Sequence, residues 1–386
     1  MERTQIAELV NAATQEVLGE TTPLAEDLSN VVDVGDAVMN NRALDNYVRS
    51  LQNHIGRVIF VNRPYAGGAP SVLMDGWQYG SIMEKISMEL PEAEENETWE
   101  LVDGASYDPH VFHAPKVSAK FFNKRVTFNI PMSFAERQVR ESFSNGAQLN
   151  AFLSMIYDNV EKALTVKEDS LIMRTINNFI GETLYSEFSG GSYSGSSGVR
   201  AVNLLYLYNQ RYSPSPSLSA ANAVTDPDFI RFAAYIMGKT RKRMSKISRL
   251  FNIGGQARFT SDSMLHAVLL ADFKEAADVF LQSSTFNEQF TRLPNAEEIP
   301  YWQGSGTGYG FSDTSKIYIR TSGNHDIEAS GILGVMFDRD ALGVANLDRR
   351  VTTDYTGVAE FYNNYYKFDA GYFNDQNENF VVFFVA

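Results

Sequence analysis

The chain has no cysteine. Disulfides, zinc–thiolate sites, iron–sulfur clusters and cysteine nucleophiles are therefore chemically excluded. The absence is also compatible with a reducing compartment. Positive charge is scarce: 33 Lys and Arg stand against 47 Asp and Glu, a formal net charge of −14. A protein that coats nucleic acid draws affinity from cations that neutralise phosphates, so this balance argues against that role. It leaves room for a protein that lies near DNA without gripping it. No run of 18 apolar residues occurs, so no helical membrane span is expected. MERTQIAELVNAATQEV has no apolar stretch after a basic start, so no secretory signal is expected.

Enzyme signatures are also missing. GxxxxGK[ST] does not occur. GSGTGYG (304–310) lacks the GxGxxG spacing and precedes no helical pattern, so it reads as a loop. GGSYSGSSG contains no GxSxG nucleophile elbow. Of His54, His110, His113, His266 and His325, only the HVFH pair lies close in sequence, and residues three apart on a strand point to opposite faces. His266, in an apolar stretch, reads as a hydrogen-bonded core residue. The abundant carboxylates read as solvated. No catalytic residue, cofactor site or metal site is expected.

What is present is apolar bulk. Of 386 residues, 44% are hydrophobic, and 26 Phe and 19 Tyr supply more than one core. Length alone predicts about two or three domains. Ile6, Leu9, Val10 and Ala13 recur at helical spacing, as do Leu44, Val48, Leu51 and Ile55 in a helix from about 41 to 55. LGETTPLAEDLSNVVDVGDAV between them is polar and turn-rich, so the first 55 residues read as an extended arm that buries little against itself. Val58–Val61 reads as a short strand and NRPYAGGAPS as a loop. PEAEENETWE follows, with Glu92, Glu94, Glu95, Glu97 and Glu100. It reads as a solvated loop tip or a surface for a basic partner.

In KRVTFNIPMSF, Val126, Phe128 and Ile130 alternate with Thr127 and Asn129, a half-buried strand that Pro131 ends or places at an edge. With the strand-like ISMEL (86–90), it predicts a two-stranded excursion around the acidic tip. The strongest helix runs from about 144 to 180. Leu149, Phe152, Leu153, Ile156, Val160, Ala163, Leu164, Leu171 and Ile176 form its stripe, Ser144 or Asn145 its cap and Gly181 its end. SEFSGGSYSGSSGVR and SPSPSLSAANAVTDP read as loops, the first a candidate domain boundary. Asp226 caps a helix with Pro227 at its first position, burying Phe229, Ile230, Ala233, Ile236 and Met237. That helix ends in Lys239, Arg241, Lys242, Arg243, Lys246 and Arg249. These cations suit phosphate contact, an acidic surface on a neighbouring copy, or simply the helix dipole. MLHAVLL, KIYIR and GILGVMFD read as strands and DFKEAADVFLQ as a helix, so 200–335 reads as a compact α+β domain. From Glu360 the chain is densely aromatic and predicts two antiparallel strands and a last buried one, FVVFFV, completing the core of the first domain.

This order, with VTFNIPMSFAERQVRESF before the long helix and GILGVMFDRDALGVANLDRR near the end, resembles the major capsid proteins of tailed bacteriophages. The resemblance covers nearly the whole chain and implies the Hong Kong 97-type phage capsid fold, an α+β architecture. It implies an N-terminal arm at 1–60 and an E-loop region at 61–130. It implies a P-domain from 131–200 and 336–386 around the spine helix, and an A-domain at 200–335. The implied function is assembly into hexamers and pentamers of an icosahedral shell around double-stranded DNA, in a virion built in the bacterial host cytoplasm. Implied partners are other copies of the chain, a portal, a separate scaffolding protein, a decoration protein, and packaged DNA by weak non-specific contact. No scaffold segment within this chain is expected. Lys85 or Lys116 with Asn363 or Asn364 align with no cross-linking trio, so no Lys–Asn cross-link is expected. An encapsulin-like compartment shell, another phage structural component and a soluble hydrolase are the alternatives.

Overall fold

The computed structural model describes residues 3–18, 24–25, 29–40, 47, 50, 69, 72–74, 83–91, 93, 103–104, 110, 112–135, 137, 146–190, 192–213, 217–282, 296–303, 311–321 and 323–386. The chain divides into two compact units. The first comprises Met1–Gln78, Arg125–Ile172 and Val344–Tyr372; the second comprises Tyr79–Lys124, Met173–Gly343 and Phe373–Ala386. The described helices are α1 (Arg3–Leu18), α2 (Val31–Asn40), α3 (Gly146–Phe188), α4 (Leu204–Tyr212), α5 (Ala220–Ala223), α6 (Pro227–Met244), α7 (Ala271–Gln282) and α8 (Phe311–Thr314). The strands begin with β1 (Leu73–Met74), β2 (Met83–Met88), β3 (Val117–Phe122), β4 (Arg125–Ala135), β5 (Ala201–Asn203) and β6 (Leu265–Leu270). They continue with β7 (Glu297–Ile299), β8 (Ile317–Arg320), β9 (Asp326–Ala329), β10 (Ile332–Asp338), β11 (Leu342–Thr356), β12 (Phe361–Asn374) and β13 (Phe380–Phe384).

In the first unit the arm is more folded than its polarity predicts. Val31–Asn40, expected as part of a turn-rich stretch, is helical, and Val31 and Val34 are buried together with Ala7, Val10 and Ala13 of α1. Side chains supply the backbone partners that the turn lacks. The Asn11 amide accepts from Leu24 N and donates to Leu24 O, and Asn30 Oδ1 accepts from Ala25 N at 2.7 Å. The expected helix at 41–55, the strand at 58–61, the NRPYAGGAPS and GSGTGYG loops and the Ser144/Asn145 cap lie wholly or largely outside the described residues.

The sheet of this unit has the order β1-β11-β12-β4. Strand β4 does not pair with 86–90 as expected. Its partner is β12, antiparallel from Phe361↔Ala135 to Gly371↔Arg125, with Phe128 stacked on Phe368 at 4.9 Å. Pro131 lies inside β4 opposite Tyr365 and does not end it. Because β4 is the edge strand, half its N–H groups face no neighbour, and a residue without an N–H fits. The aromatic stretch forms one 14-residue strand, β12, not two. Tyr362, Asn364, Tyr366, Phe368 and Ala370 are buried at alternate positions, and this repeat carries the strand through Asn363, Asn364 and Asp369 without a turn.

Helix α3 is longer than expected, 43 residues or roughly 65 Å. Gly181 does not end it. A Cβ there would lie 3.2 Å from the Ile319 side chain, so the glycine admits β8 rather than terminating the helix. The C-terminal part of α3 belongs to the second unit, whose main sheet has the order β5-β13-β10-β6-β7. Alternation along β13 defines its two faces. Phe380 stacks on Phe179 of α3 at 4.1 Å and Phe384 meets Phe188 edge-on at 6.1 Å. Val381 and Phe383 pack into a cluster with Leu205 of α4, Phe229, Ala233 and Met237 of α6, and Phe273 of α7. The sheet is thus covered on both faces, which suits strands buried throughout.

The start of α6 matches its sequence signal: Asp226 Oδ1 accepts from Phe229 N at 2.8 Å, with Pro227 in the first turn. The loop before it contains the one-turn helix α5, which its Ser/Pro content did not predict. Removing the cap by Asp226→Ala is expected to cost about 1 kcal/mol in urea unfolding of the isolated subunit. Gly331→Ala is expected to cost more. Gly331 has φ +78°, and a Cβ there would lie 2.0 Å from Val385 O, against the last strand. Equal unfolding midpoints for Gly331→Ala and the unsubstituted chain would contradict this close approach.

Candidate functional site

Strands β2 and β3 form an antiparallel hairpin in register from Met83↔Phe122 to Met88↔Val117. Opposite residues share a face, so Met83, Lys85 and Ser87 lie with Phe122, Lys120 and Ser118 on one side. Like charges directly opposite each other destabilise a sheet unless something neutralises them. Here Lys85 faces Lys120, and Asp375 and Glu378, just before β13, neutralise both. Lys85 Nζ lies 2.9 Å from Asp375 Oδ2 and 2.7 Å from Glu378 Oε1, and it donates to Asp340 O at 3.2 Å. Lys120 Nζ donates to Asp375 Oδ1 at 2.9 Å, and the same oxygen accepts from Asn377 N at 3.1 Å. Arg258 adds a further contact to Glu378 at 3.3 Å. Phe122 packs on Phe373 at 5.1 Å beside this cluster.

The Asp375 side chain is 2% exposed. Burial alone would raise its pKa, but hydrogen bonds from Lys120 and Lys85 outweigh it and hold the carboxyl below its ordinary range. Burial would lower the Lys85 pKa, yet its bonds to Glu378 and Asp375 together leave it above the usual lysine value.

The other face of the hairpin points away from this cluster and is largely apolar. It carries Ile86, Met88, Val117, Ala119 and Phe121, with Ile86 66% and Phe121 64% exposed, and one charge, Glu84, opposite Phe121 at its end. Leu90 and Phe112 beyond the strands are exposed too. An apolar stripe of this kind on a water-facing hairpin marks an interaction surface.

The cations expected at the end of α6 divide into two groups. Arg241 pairs with Asp262 at 2.9 Å and Lys242 approaches the same carboxylate at 3.7 Å, while Lys239 lies over the Tyr235 ring at 5.9 Å. Arg243, Lys246 and Arg249 are exposed and find no side-chain partner among the described residues. Glu92, Glu94, Glu95, Glu97 and Glu100 lie outside the described residues. The Lys85, Lys120, Asp375 and Glu378 cluster escaped sequence reasoning, since 255 residues separate Lys120 from Asp375. A hint was present in Lys85, which alternates with Ile86 and Met88 along β2 and so lies on the face opposite to them. Of the other residues weighed for cross-linking, Lys116 lies 3.9 Å from Glu89, Asn363 accepts from Ser133 Oγ at 2.7 Å, and Asn364 is fully buried. His266 is part-exposed and stacks on Phe337 at 5.9 Å, and burial lowers its pKa. Among the described residues no three His, Asp or Glu side chains gather as a metal site requires. No described helix is long and apolar enough to cross a membrane.

A sequence profile of the Phi29-like phage major capsid proteins matches residues 10–384. The chain belongs to this family. It is a major capsid protein of a tailed phage, and so a structural component of the virion. A search among curated proteins found no match. Solved phage structures are similar at low identity. One, of the head fibre and inner core protein gp22 of native bacteriophage P68, shares 10% identity over 84% of this chain and 86% of that one, with a TM-score of 0.51. The capsid of Staphylococcus phage Andhra shares 11% identity over the same shares of the two chains, with a TM-score of 0.48. The expected α+β fold of the Hong Kong 97 type is the one found.

In this capsid subunit the ionic cluster sets a pH window. The depressed carboxyl of Asp375 contributes stability above the ordinary carboxylate range and loses it as pH falls through the native value. The raised Lys85 contributes below the ordinary lysine value and loses it as pH rises through the native one. Anchoring of the hairpin is therefore expected to hold across neutral pH and to fail at the acid and alkaline extremes. Asp375→Ala leaves Lys85 and Lys120 facing each other without that carboxylate and is expected to cost roughly 3 kcal/mol. Hydrogen exchange of the β2 and β3 amides should rise in that variant at neutral pH. Unchanged exchange would show that the cluster does not hold the hairpin.

Proposed function

We propose that this capsid protein associates with itself as hexamers and pentamers that tile an icosahedral shell around the double-stranded DNA genome. The observation that carries this reading is the β2–β3 hairpin, fixed on one face by ion pairs to the buried Asp375 and largely apolar and exposed on the other. A rigid apolar stripe is stable in water when a neighbour covers it, and in a closed shell every neighbour is another copy. On this reading residues 1–60 are the arm, 61–130 the E-loop region, 131–200 with 336–386 the P-domain, and 200–335 the A-domain. The subunit acts through contacts rather than catalysis. Its net acidity keeps packaged DNA in weak, non-specific contact with the wall, so that the genome can be moved in and out.

Assembly takes place in the bacterial host cytoplasm, with a portal and a separate scaffolding protein as partners and a decoration protein as a candidate for the outer surface. Between copies, Glu92, Glu94, Glu95, Glu97 and Glu100 meet Lys239, Arg241, Lys242, Arg243, Lys246 and Arg249, which sets orientation more than affinity.

Two measurements test this. Negative-stain electron microscopy of the purified chain at raised concentration, with and without a co-expressed scaffolding protein, is expected to reveal closed shells or rings of five and six copies. Monomers alone under both conditions would count against the reading. Charge reversal at Glu94, Glu95 and Glu97 to Lys is expected to impair assembly while leaving the subunit's unfolding midpoint unchanged. Normal shells from that variant would remove the pairing.

A further inference from the structure

The segment that follows α6 folds back on itself as a narrow ribbon. Thr260 N donates to Met244 O at 2.8 Å, and Ser248 and Arg258 exchange both backbone hydrogen bonds at 3.0 Å. Side chains alternate across such a pair. Arg258 reaches Glu378 at 3.3 Å and the Ser248 hydroxyl is buried, so these two point into the subunit. Ile247, Arg249 and Phe259 consequently point outward. Ile247 is 45% exposed and Phe259 55%, and Leu250 next to them is 60% exposed. Lys246 and Arg243 are exposed alongside. No Asp or Glu occurs from Lys239 to Arg258, and the next acid, Asp262, is occupied by Arg241 and Lys242.

This surface combines two chemistries. The dipole of α6 favours Arg241–Arg243, but its influence fades within the last turn and does not reach Arg249. A DNA backbone would use the cations and leave Ile247, Leu250 and Phe259 without a role. The fitting partner offers carboxylates and large apolar groups together. The segment of this chain most dense in such groups is ELPEAEENETWELV at 89–102, with six Glu, no Lys or Arg, and Leu90, Trp99, Leu101 and Val102 among them. Two different, mutually complementary patches on identical chains generate a head-to-tail contact, the type that closes into rings.

We propose that the outward face of ribbon 244–260 is a docking site between copies, and that segment 89–102 of a second copy occupies it. Its carboxylates lie on Arg243, Lys246 and Arg249, and its apolar side chains lie on Ile247, Leu250 and Phe259. The proposal rests on the self-assembly reading above and adds an apolar anchor to the charge pairing.

The test is a fluorescence-anisotropy titration of the full chain with a labelled peptide of residues 89–102. Saturable binding that weakens with salt is expected. Ile247→Ser with Phe259→Ser is expected to weaken it about tenfold through lost apolar burial. Lys246→Glu with Arg249→Glu should weaken binding and flatten its salt dependence. A peptide carrying Trp99→Ala and Leu101→Ala should bind the unsubstituted chain about tenfold more weakly, which keeps the test intact if the ribbon variants unfold. No peptide binding to a chain that still forms shells would overturn the docking site and leave self-assembly standing. Equal binding by all the apolar variants would overturn the anchor. A DNA duplex that displaces the peptide and binds more tightly would reassign the face to nucleic acid.

Discussion

Strand β13 enters the middle of a five-stranded sheet, between β5 and β10, from the far end of the chain. Phe380 to Phe384 are all buried, one side of the strand packed on α3 and the other on α4, α6 and α7. The second unit cannot close until this last segment arrives, because without it β5 has no partner and two helical layers face a gap. The turn that leads into β13 is held just as firmly. Asn379 donates to Thr260 Oγ1 at 3.1 Å, its carbonyl accepts from Asp338 N at 2.9 Å, and Asp375 N donates to Ala341 O at 2.7 Å. Asp375 and Glu378 sit on this turn, so their positions, and with them the anchoring of the β2–β3 hairpin, follow from the insertion of β13. A fold that depends on a pairing of such sequence separation pays loop-closure entropy before it gains contacts and is expected to form slowly.

The ionic cluster differs in kind from the surface pairs elsewhere on the chain. Lys316 with Glu328 and Arg231 with Asp228 are exposed, and such pairs contribute little in water. Asp375 is nearly dry and is met by two ammonium groups and a backbone N–H, so its charge is compensated where water cannot reach it, and removing a partner costs more than at the surface. The outcome is a hairpin with one face fixed and the other free. A shell built from many copies needs such division: rigid placement within the subunit, and modest contacts between subunits that can form, break and re-form until the lattice is correct.

Some of this was legible in the residues. The cap at Asp226, the half-buried alternation of β4, the long helix and the buried final strand are all local patterns, and local patterns fold as written when one neighbour on each side suffices. The errors share a cause. Gly181 reads as a helix end because glycine disfavours helix, but the helix continues and the missing Cβ lets Ile319 pack close against it. Pro131 reads as a possible strand end, and the edge position of β4 makes it harmless. The aromatic stretch reads as two strands because its length exceeds an ordinary strand, and continuous pairing with β4 on one side allows one. Val31–Asn40 reads as part of a turn, and side-chain amides from Asn11 and Asn30 close that turn instead.

Composition and motif content determined the class of protein: no thiol chemistry, no phosphate-binding loop, an acidic chain rich in aromatic bulk, and an order of elements that resembles phage capsid proteins. Periodicity determined most of the elements, because burial on one face imposes a repeat of two or of 3.6 whatever the rest of the chain does. Only the tertiary structure decided which strand pairs with which, which face of the hairpin is bound and which is bare, and which cations remain unpaired. Those outcomes depend on contacts between residues from about twenty to nearly three hundred positions apart, and no local repeat encodes them.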